Sequence, residues 1–371
     1  MEIFLWHALQ LMLVFLLALL MSLYGMPIAI EAARRYGIVD LPDGDLKIHR
    51  EPVPYLGGVA IFVSFLLALG FIFPFDRDVL GLLLAGSIMI LLGLIDDLGA
   101  MTPKVKFFGQ LVGIFALIQS GIFIQLEFLP QWACLLLTIL WMAGILNAMN
   151  ILDVMDGLAA GVSAVAAAFL LVIALLNGNE LIAIVTAALL GSLLGFLWFN
   201  APPAQIYLGD SGSLFLGLVL GALSIRGSYT AYNPIGFLTP LFLLSIPIFD
   251  TVYVTARRLW RGDSPFQGSR DHFPLRLRDR GLTVRRVLTL CLCLALVSSL
   301  LGLLNVFVSA QYSVVLLLSL WCFYLLFGLG LARGGGSQSE LIPGELRLQM
   351  GQSEEEQQPE DYRAAMRLDD R

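Results

Sequence analysis

The sequence predicts an all-α protein, a polytopic transmembrane helical bundle of about 11 helices with its N-terminus outside and its C-terminus in the cytoplasm. Three observations predict it. Of 371 residues, 58% are apolar and 13% are charged, about half the charged share of a soluble domain. A soluble fold of this length could not hide that much apolar surface, so a bilayer is the natural solvent. The apolar residues fall in runs long enough to span it, and Lys and Arg collect in alternate connections between those runs.

A spanning helix needs about 20 mostly apolar residues. Such runs fall at roughly 3–24, 56–74, 79–95, 107–125, 130–148, 157–176, 180–199, 212–226, 233–256, 284–308 and 312–332. The first run lacks a basic leader and a small-residue cleavage site, so it reads as a retained helix. The segment Gly334-Gly335-Gly336-Ser337 ends the membrane domain, taken as 1–333. Residues 334–371 hold nine of the 28 acidic residues, among them Glu354, Glu355 and Glu356. This acidic segment reads as a disordered cytoplasmic tail. Cys134, Cys291, Cys293 and Cys322 all sit in apolar runs, without metal spacing, and read as small core residues.

Orientation follows from the basic residues. Arg34, Arg35, Lys47, Arg50, Lys104, Lys106 and the arginines between Arg257 and Arg286 occupy one set of connections, and the other set holds only Arg77 and Arg226. The basic-rich set is cytoplasmic by the positive-inside rule. Asp96, Asp97, Asp153, Asp156, Asp210, Asp250 and Asp271 fall on that same face, although acids played no part in assigning it. Acids and bases gathered at one membrane face suit a polyanionic substrate handled through a divalent metal.

Five constellations carry this chemistry. Asp96-Asp97 ends one apolar run, with Lys104, Lys106 and Gln110 entering the next. Two adjacent acids at a membrane boundary cost free energy unless solvated, paired or metal-bound. Asn147, Asn150, Asp153 and Asp156 recur every three residues, and on a helix they share one face. Amides and carboxylates together can read a nucleobase or ribose and hold a metal-bound phosphate. Gly209-Asp210-Ser211-Gly212-Ser213 opens a helix whose N-terminus favours phosphate, and a bridging Mg²⁺ would reconcile Asp210 with that anion. Just before it, Tyr207 offers a ring for a base to stack on, and Asn200 an amide. The long connection at roughly 257–283 carries His272 and Arg276, which could clamp a diphosphate; Asp250, with Arg257 seven residues on, has the spacing of a structural ion pair. His49-Arg50 and Pro54-Tyr55-Leu56-Gly57-Gly58 form a turn before a helix.

In series, these residues resemble the polyprenyl-phosphate N-acetylhexosamine-1-phosphate transferases, glycosyltransferase family 4. The pieces are Pro54 to Gly58, Leu94-Ile95-Asp96-Asp97, Pro103 to Gln110, Asn147 to Leu158, Gly209 to Ser213, and Asp250-Thr251 through Arg258. The layout and the Ile48-His49-Arg50 entrance look closest to the branch that loads GlcNAc-1-phosphate on undecaprenyl phosphate, with phospho-MurNAc-pentapeptide transferase as the alternative. The resemblance implies a UDP-sugar donor, an undecaprenyl phosphate acceptor, UMP as product, and Mg²⁺ with Mn²⁺ as its substitute. It implies a multi-pass protein of the bacterial inner membrane with a cytoplasmic active site, a homodimer by family analogy, and no nucleic-acid partner.

Carried over, Asp210 and Asp156 would hold the metal. Asp96 and Asp97 would lie by the acceptor phosphate. Asn147, Asn150, Asp153, Tyr207 and Asn200 would line the uridine pocket, and Arg50, Lys106, His272 and Arg276 would meet phosphate. One departure stands out. Many relatives carry a His-x-His-His run where this chain reads His272-Phe273-Pro274-Leu275, so only the first histidine of the run is left. Two rivals fit less well. Asp153-x-x-Asp156-Gly157 echoes the CDP-alcohol phosphatidyltransferases, but no later acid pair follows. A transporter would place polar residues near the bilayer midplane.

Overall fold

The computed structural model describes residues 2–40, 52–72, 76–99, 101–227, 229–230, 233–264 and 271–333. Arg50 and the acidic tail at 334–371 therefore lie outside the described residues. Contacts divide the chain into one unit, Met1–Gly328, and a second, Leu329–Arg371; of the second, the described part is the last turn of the final helix.

The protein is helical, as expected. In chain order the helices are α1 (Glu2–Tyr36), α2 (Gly57–Ile72), α3 (Arg77–Asp97), α4 (Pro103–Ser120), α5 (Gln131–Leu152), α6 (Leu158–Leu176), α7 (Glu180–Asn200), α8 (Gly209–Arg226), α9 (Pro240–Leu243), α10 (Ser245–Arg261), α11 (Phe273–Asp279), α12 (Val284–Phe307) and α13 (Ala310–Arg333). Two short strands, β1 (Val39–Asp40) and β2 (Val53–Pro54), pair antiparallel, with Val39 opposite Pro54. Among the described residues, seven helices are long and apolar enough to cross a membrane, and the bent pair Gly236–Leu243 and Ser245–Arg261 makes an eighth if it is one span. The pair turns by 68°. Each apolar run read from the sequence overlaps helical structure, but the run at 233–256 is divided between short helical turns and α10, and α2 is shorter than a usual span.

The core is built around α8, whose residues from Ser211 to Ser224 are buried without interruption. Helices α2, α3 and α5 pack on it, α1 packs on α2 and α7, and α6 lies between α7 and α12. A helix apolar on every side has no solvent face and belongs inside a bundle. The outer helices instead expose large apolar side chains: Leu9, Leu13, Leu16 and Leu20 on α1, and Leu296, Leu300 and Leu304 on α12. Recurring every three or four residues, these make stripes suited to lipid.

Helices α3 and α8 run antiparallel and are tied at both ends. At the far end Arg226 pairs with Asp78. At the near end the backbones almost touch. A Cβ added at Gly93 would lie 2.3 Å from the Ser211 Cα, and one at Gly58 would lie 2.1 Å from the Gly212 nitrogen. Small residues permit such close approach between membrane helices. The entrance turn reinforces it: the amides of Gly57 and Gly58 donate to the carbonyls of Tyr207 and Leu208, and the Tyr207 amide donates to the Pro54 carbonyl.

The Gly93→Ala substitution should therefore push α3 from the start of α8 and destabilise the protein by about 1–3 kcal/mol, the usual cost of overpacking. The control is Gly144→Ala, where an added Cβ meets nothing within 4 Å. A lower thermal midpoint in detergent for Gly93→Ala alone is the expected result.

Candidate active site

Among the described residues, the clusters singled out in the sequence sit near the C-termini of α3, α5 and α7 and the N-termini of α4, α6 and α8, with His272 and Arg276 at α11 just before α12. The centre is Lys106, in the first turn of α4. Its Nζ lies 2.6 Å from Asp96 Oδ2, 2.7 Å from Asp210 Oδ2 and 3.0 Å from Asn150 Oδ1. Asn150 closes the ring by donating from Nδ2 to Asp210 Oδ1 at 2.8 Å and to Ser213 Oγ at 3.0 Å. Its neighbour Asn147, one turn earlier on α5, donates to Gln110 Oε1 at 3.1 Å.

Asp97 has a different task. Its Oδ1 accepts the Asp210 amide at 2.7 Å and its Oδ2 accepts the Ser211 amide at 3.2 Å. The first amides of a helix lack intrahelical partners and favour an anion. The sequence suggested phosphate for the N-terminus of α8; the structure seats the Asp97 carboxylate there. Gly209, at φ +74°, makes the turn that presents these amides, and a Cβ on it would meet Asp97 Oδ2 at 2.8 Å.

The expectation that Asn147, Asn150, Asp153 and Asp156 share one helix face needs correcting. Helix α5 ends at Leu152, Asp153 is its C-cap, and α6 starts only after Gly157, whose φ of +73° breaks the helical path. Asp153 and Asp156 therefore stand on a turn. Asp and Asn compete with the helical backbone and favour such turns. Asp156 Oδ2 accepts the Ala204 amide at 3.0 Å. Asn200 is buried, with Oδ1 accepting from the Gly157 amide at 3.0 Å and Nδ2 donating to the Ile206 carbonyl at 2.8 Å. It holds the α5–α6 turn against the segment that leads to Tyr207, so its polar atoms serve the framework. Tyr207 is half-buried beside this turn. Burial first, then the Asp156, Asp40 and Asp153 carboxylates, push its hydroxyl up to about 12, so it stays neutral.

Around the connection after α10, the expected pairing of Asp250 with Arg257 is not what forms. Arg257 Nε lies 3.2 Å from Asp271 Oδ1, and Arg261 Nη1 lies 3.1 Å from the same atom. Asp250 binds His272 instead, Oδ2 to Nδ1 at 2.8 Å. The backbone passes near Asp250 again after 22 residues, which helical spacing could not reveal. Arg276 is buried on α11, and its Nε and Nη2 find no hydrogen-bond partner among the described residues. A buried guanidinium left unpaired is costly and calls for an anion.

The fit to a divalent cation can be judged from the oxygens. Asp96, Asp210 and Asn150 point three oxygens at one ammonium nitrogen, the hard-oxygen set that Mg²⁺ or Mn²⁺ takes. No three His, Cys, Asp or Glu side chains converge among the described residues, so the set depends on the Asn150 amide. The residues present fit the ion.

Asp153 gives a pH signature. Burial, then the like charges of Asp210, Asp97 and Asp156, push its carboxyl up to about 8. The folded protein thus keeps this proton at pH values where the unfolded chain has lost it. Stability of the metal-free protein should fall as pH rises from about 4 to about 8 and then level off. Thermal midpoints measured in EDTA across that range should decline more steeply for wild type than for Asp153→Asn.

Comparison with known proteins agrees with this geometry. Residues 79–228 match the model of glycosyl transferase family 4. The chain is 36% identical, over 73% of its length and 78% of the relative's, to a probable undecaprenyl-phosphate N-acetylglucosaminyl 1-phosphate transferase of Bacillus subtilis. It is 31% identical, over 70% and 73%, to decaprenyl-phosphate N-acetylglucosaminephosphotransferase of Mycolicibacterium smegmatis. It is 26% identical, over 80% and 84%, to undecaprenyl-phosphate alpha-N-acetylglucosaminyl 1-phosphate transferase of Escherichia coli K12. With matching motifs, a helical membrane bundle and relatives of this kind along most of its length, the chain belongs to glycosyl transferase family 4, the polyprenyl-phosphate N-acetylhexosamine-1-phosphate transferases.

Proposed function

We propose that the protein transfers GlcNAc-1-phosphate from UDP-GlcNAc to undecaprenyl phosphate, releasing UMP, as the first membrane step of a cell-envelope glycan. The observation that carries this reading is the ring of Asp96, Asn150 and Asp210 around Lys106, at the bundle end that also holds His272 and Arg276. We take that end as cytoplasmic, because the basic connections lie there. Reading all eleven apolar runs as crossings puts the N-terminus outside, and we place the protein in the bacterial plasma membrane. The names of the relatives support the lipid acceptor and the sugar.

Donor and acceptor are both anionic, so their repulsion must be screened before they meet. A divalent ion held by Asp210, Asn150 and Asp96 would supply charge neutralisation on the donor diphosphate. Lys106, already in contact with these residues, is placed to meet a phosphate oxygen, and Arg276 brings a buried positive charge in want of an anion. His272, one turn before Arg276, would meet the diphosphate beside it. Tyr207 provides a neutral ring for uracil, next to the turn that carries Asp153 and Asp156.

The lipid phosphate attacks the phosphorus that bears the sugar. A new P–O bond forms, the P–O bond to UMP breaks, and UMP leaves with the bridging oxygen. The second pKa of a phosphate monoester is near 6, so the nucleophile needs little deprotonation at neutral pH. Asp97 commits both oxygens to backbone amides, which disfavours it as a nucleophile and leaves Asp96 to accept any residual proton. Direct transfer is therefore the simpler path than an aspartyl-phosphate intermediate.

The test is UMP release by purified protein in detergent, given undecaprenyl phosphate, Mg²⁺ and a panel of UDP-sugars. Lipid-dependent release with UDP-GlcNAc, abolished by EDTA and lowered about 100-fold or more by Asp210→Asn, is expected. No release with any UDP-sugar from folded protein would overturn the reading.

A further inference from the structure

Asp250 is fully buried in the middle of α10, yet the acceptor and donor chemistry above makes no use of it. An ionisable residue inside a membrane helix is costly and is kept for a reason. The obvious reason, an ion pair with Arg257 two turns along the same helix, is not realised, since Arg257 turns to Asp271. Each oxygen of Asp250 faces one nitrogen of the returning chain. Oδ1 accepts the amide of Phe273 at 2.9 Å, and Oδ2 lies 2.8 Å from Nδ1 of His272.

These two contacts fix different things. The Phe273 amide is the first of α11, so Asp250 anchors the start of that helix to α10. The imidazole contact fixes the ring. A carboxylate accepts, so Nδ1 carries hydrogen and donates, which leaves Nε2 as the ring atom for a ligand. Ring orientation and tautomer are commonly set in this way by a carboxylate behind a working histidine. Arg276 follows one turn later, its amide donating to the His272 carbonyl at 2.9 Å. His272 and Arg276 therefore share a face of α11, and the Arg276 guanidinium is the buried cation with unpartnered nitrogens. Helix α10 in turn packs on α5, the helix that supplies Asn147 and Asn150.

We propose that Asp250 is a positioning residue for the transfer: its carboxylate accepts from His272 Nδ1 and from the Phe273 amide, so that with the donor diphosphate bound His272 can carry hydrogen on both ring nitrogens and act, through Nε2–H, with the Arg276 guanidinium as one cationic clamp. This rests on the transferase reading given above.

The test uses the full chain in detergent or nanodiscs, with two readouts. The first is ¹⁵N NMR of histidine-labelled protein. The sequence has three histidines, and a His272→Gln variant assigns the signal. Wild-type His272 should carry hydrogen on Nδ1. In Asp250→Asn the new amide can give its oxygen to Phe273 and its NH₂ to Nδ1, so the hydrogen should move to Nε2. The second readout is UMP release. Asp250→Asn and His272→Gln should each lower kcat/KM by about 10–100-fold, and the double variant should be no slower than His272→Gln alone.

A wild-type His272 without hydrogen on Nδ1 overturns the proposal, and that result needs no variant to fold. So does a double variant in which the two losses multiply, the pattern of an acid that merely supports folding. A His272→Gln enzyme as fast as wild type overturns the clamp while leaving the transferase reading standing. Failure of that reading shows separately, as wild-type protein that releases no UMP.

Discussion

One positive charge organises the working end of this protein. Lys106 enters a low-dielectric wall of helices, where an unpaired ammonium would be costly, and Asp96, Asp210 and Asn150 turn their oxygens toward it. Those three residues come from three helices, and α4 brings the lysine from a fourth. The cluster can close only if α3, α5 and α8 meet tightly. Gly93 on α3 and Gly217 on α8 allow that approach, and the Asp97 carboxylate on the first amides of α8 locks it. Packing and chemistry thus share a cause: the glycines that let backbones touch also bring the acids to one point.

Much of this was legible in the sequence, for identifiable reasons. A run of apolar residues is a strong signal, so each expected span overlaps helical structure, but the run at 233–256 is broken by a 68° bend that hydropathy does not mark. Lys and Arg mark one face, and the acids segregate with them without having been used to define it. What escaped was local or long-range geometry. Residues 147, 150, 153 and 156 have helical spacing, but Gly157 has a positive φ and the helix stops at Leu152, so two of the four leave the face. Spacing alone cannot show where a helix ends. Nor could it show Asn200 spending both polar atoms on backbone, because the groups it binds lie 43 residues before it and six after.

Asp250 is the clearest case of a role hidden in sequence. Its intrahelical neighbour Arg257 suggested an ion pair, and the contact that forms instead spans a loop. The available signal was the misfit itself. A single acid deep in a membrane helix, followed by a connection rich in arginine and one histidine, invites the question of which partner it has chosen. The answer assigns Asp271 to the arginines and Asp250 to the histidine, and leaves Arg276 as the unsatisfied charge.

The proposed function requires the oxygen ring now held by the Lys106 ammonium to accept a divalent cation. Mn²⁺ binding followed by electron paramagnetic resonance tests it most directly, with wild type compared against Lys106→Met and Asp210→Asn in the absence of nucleotide. Removal of the competing ammonium should tighten Mn²⁺ binding in Lys106→Met, and loss of a carboxylate should weaken it in Asp210→Asn. Binding that neither substitution changes would place the metal elsewhere and contradict the claim.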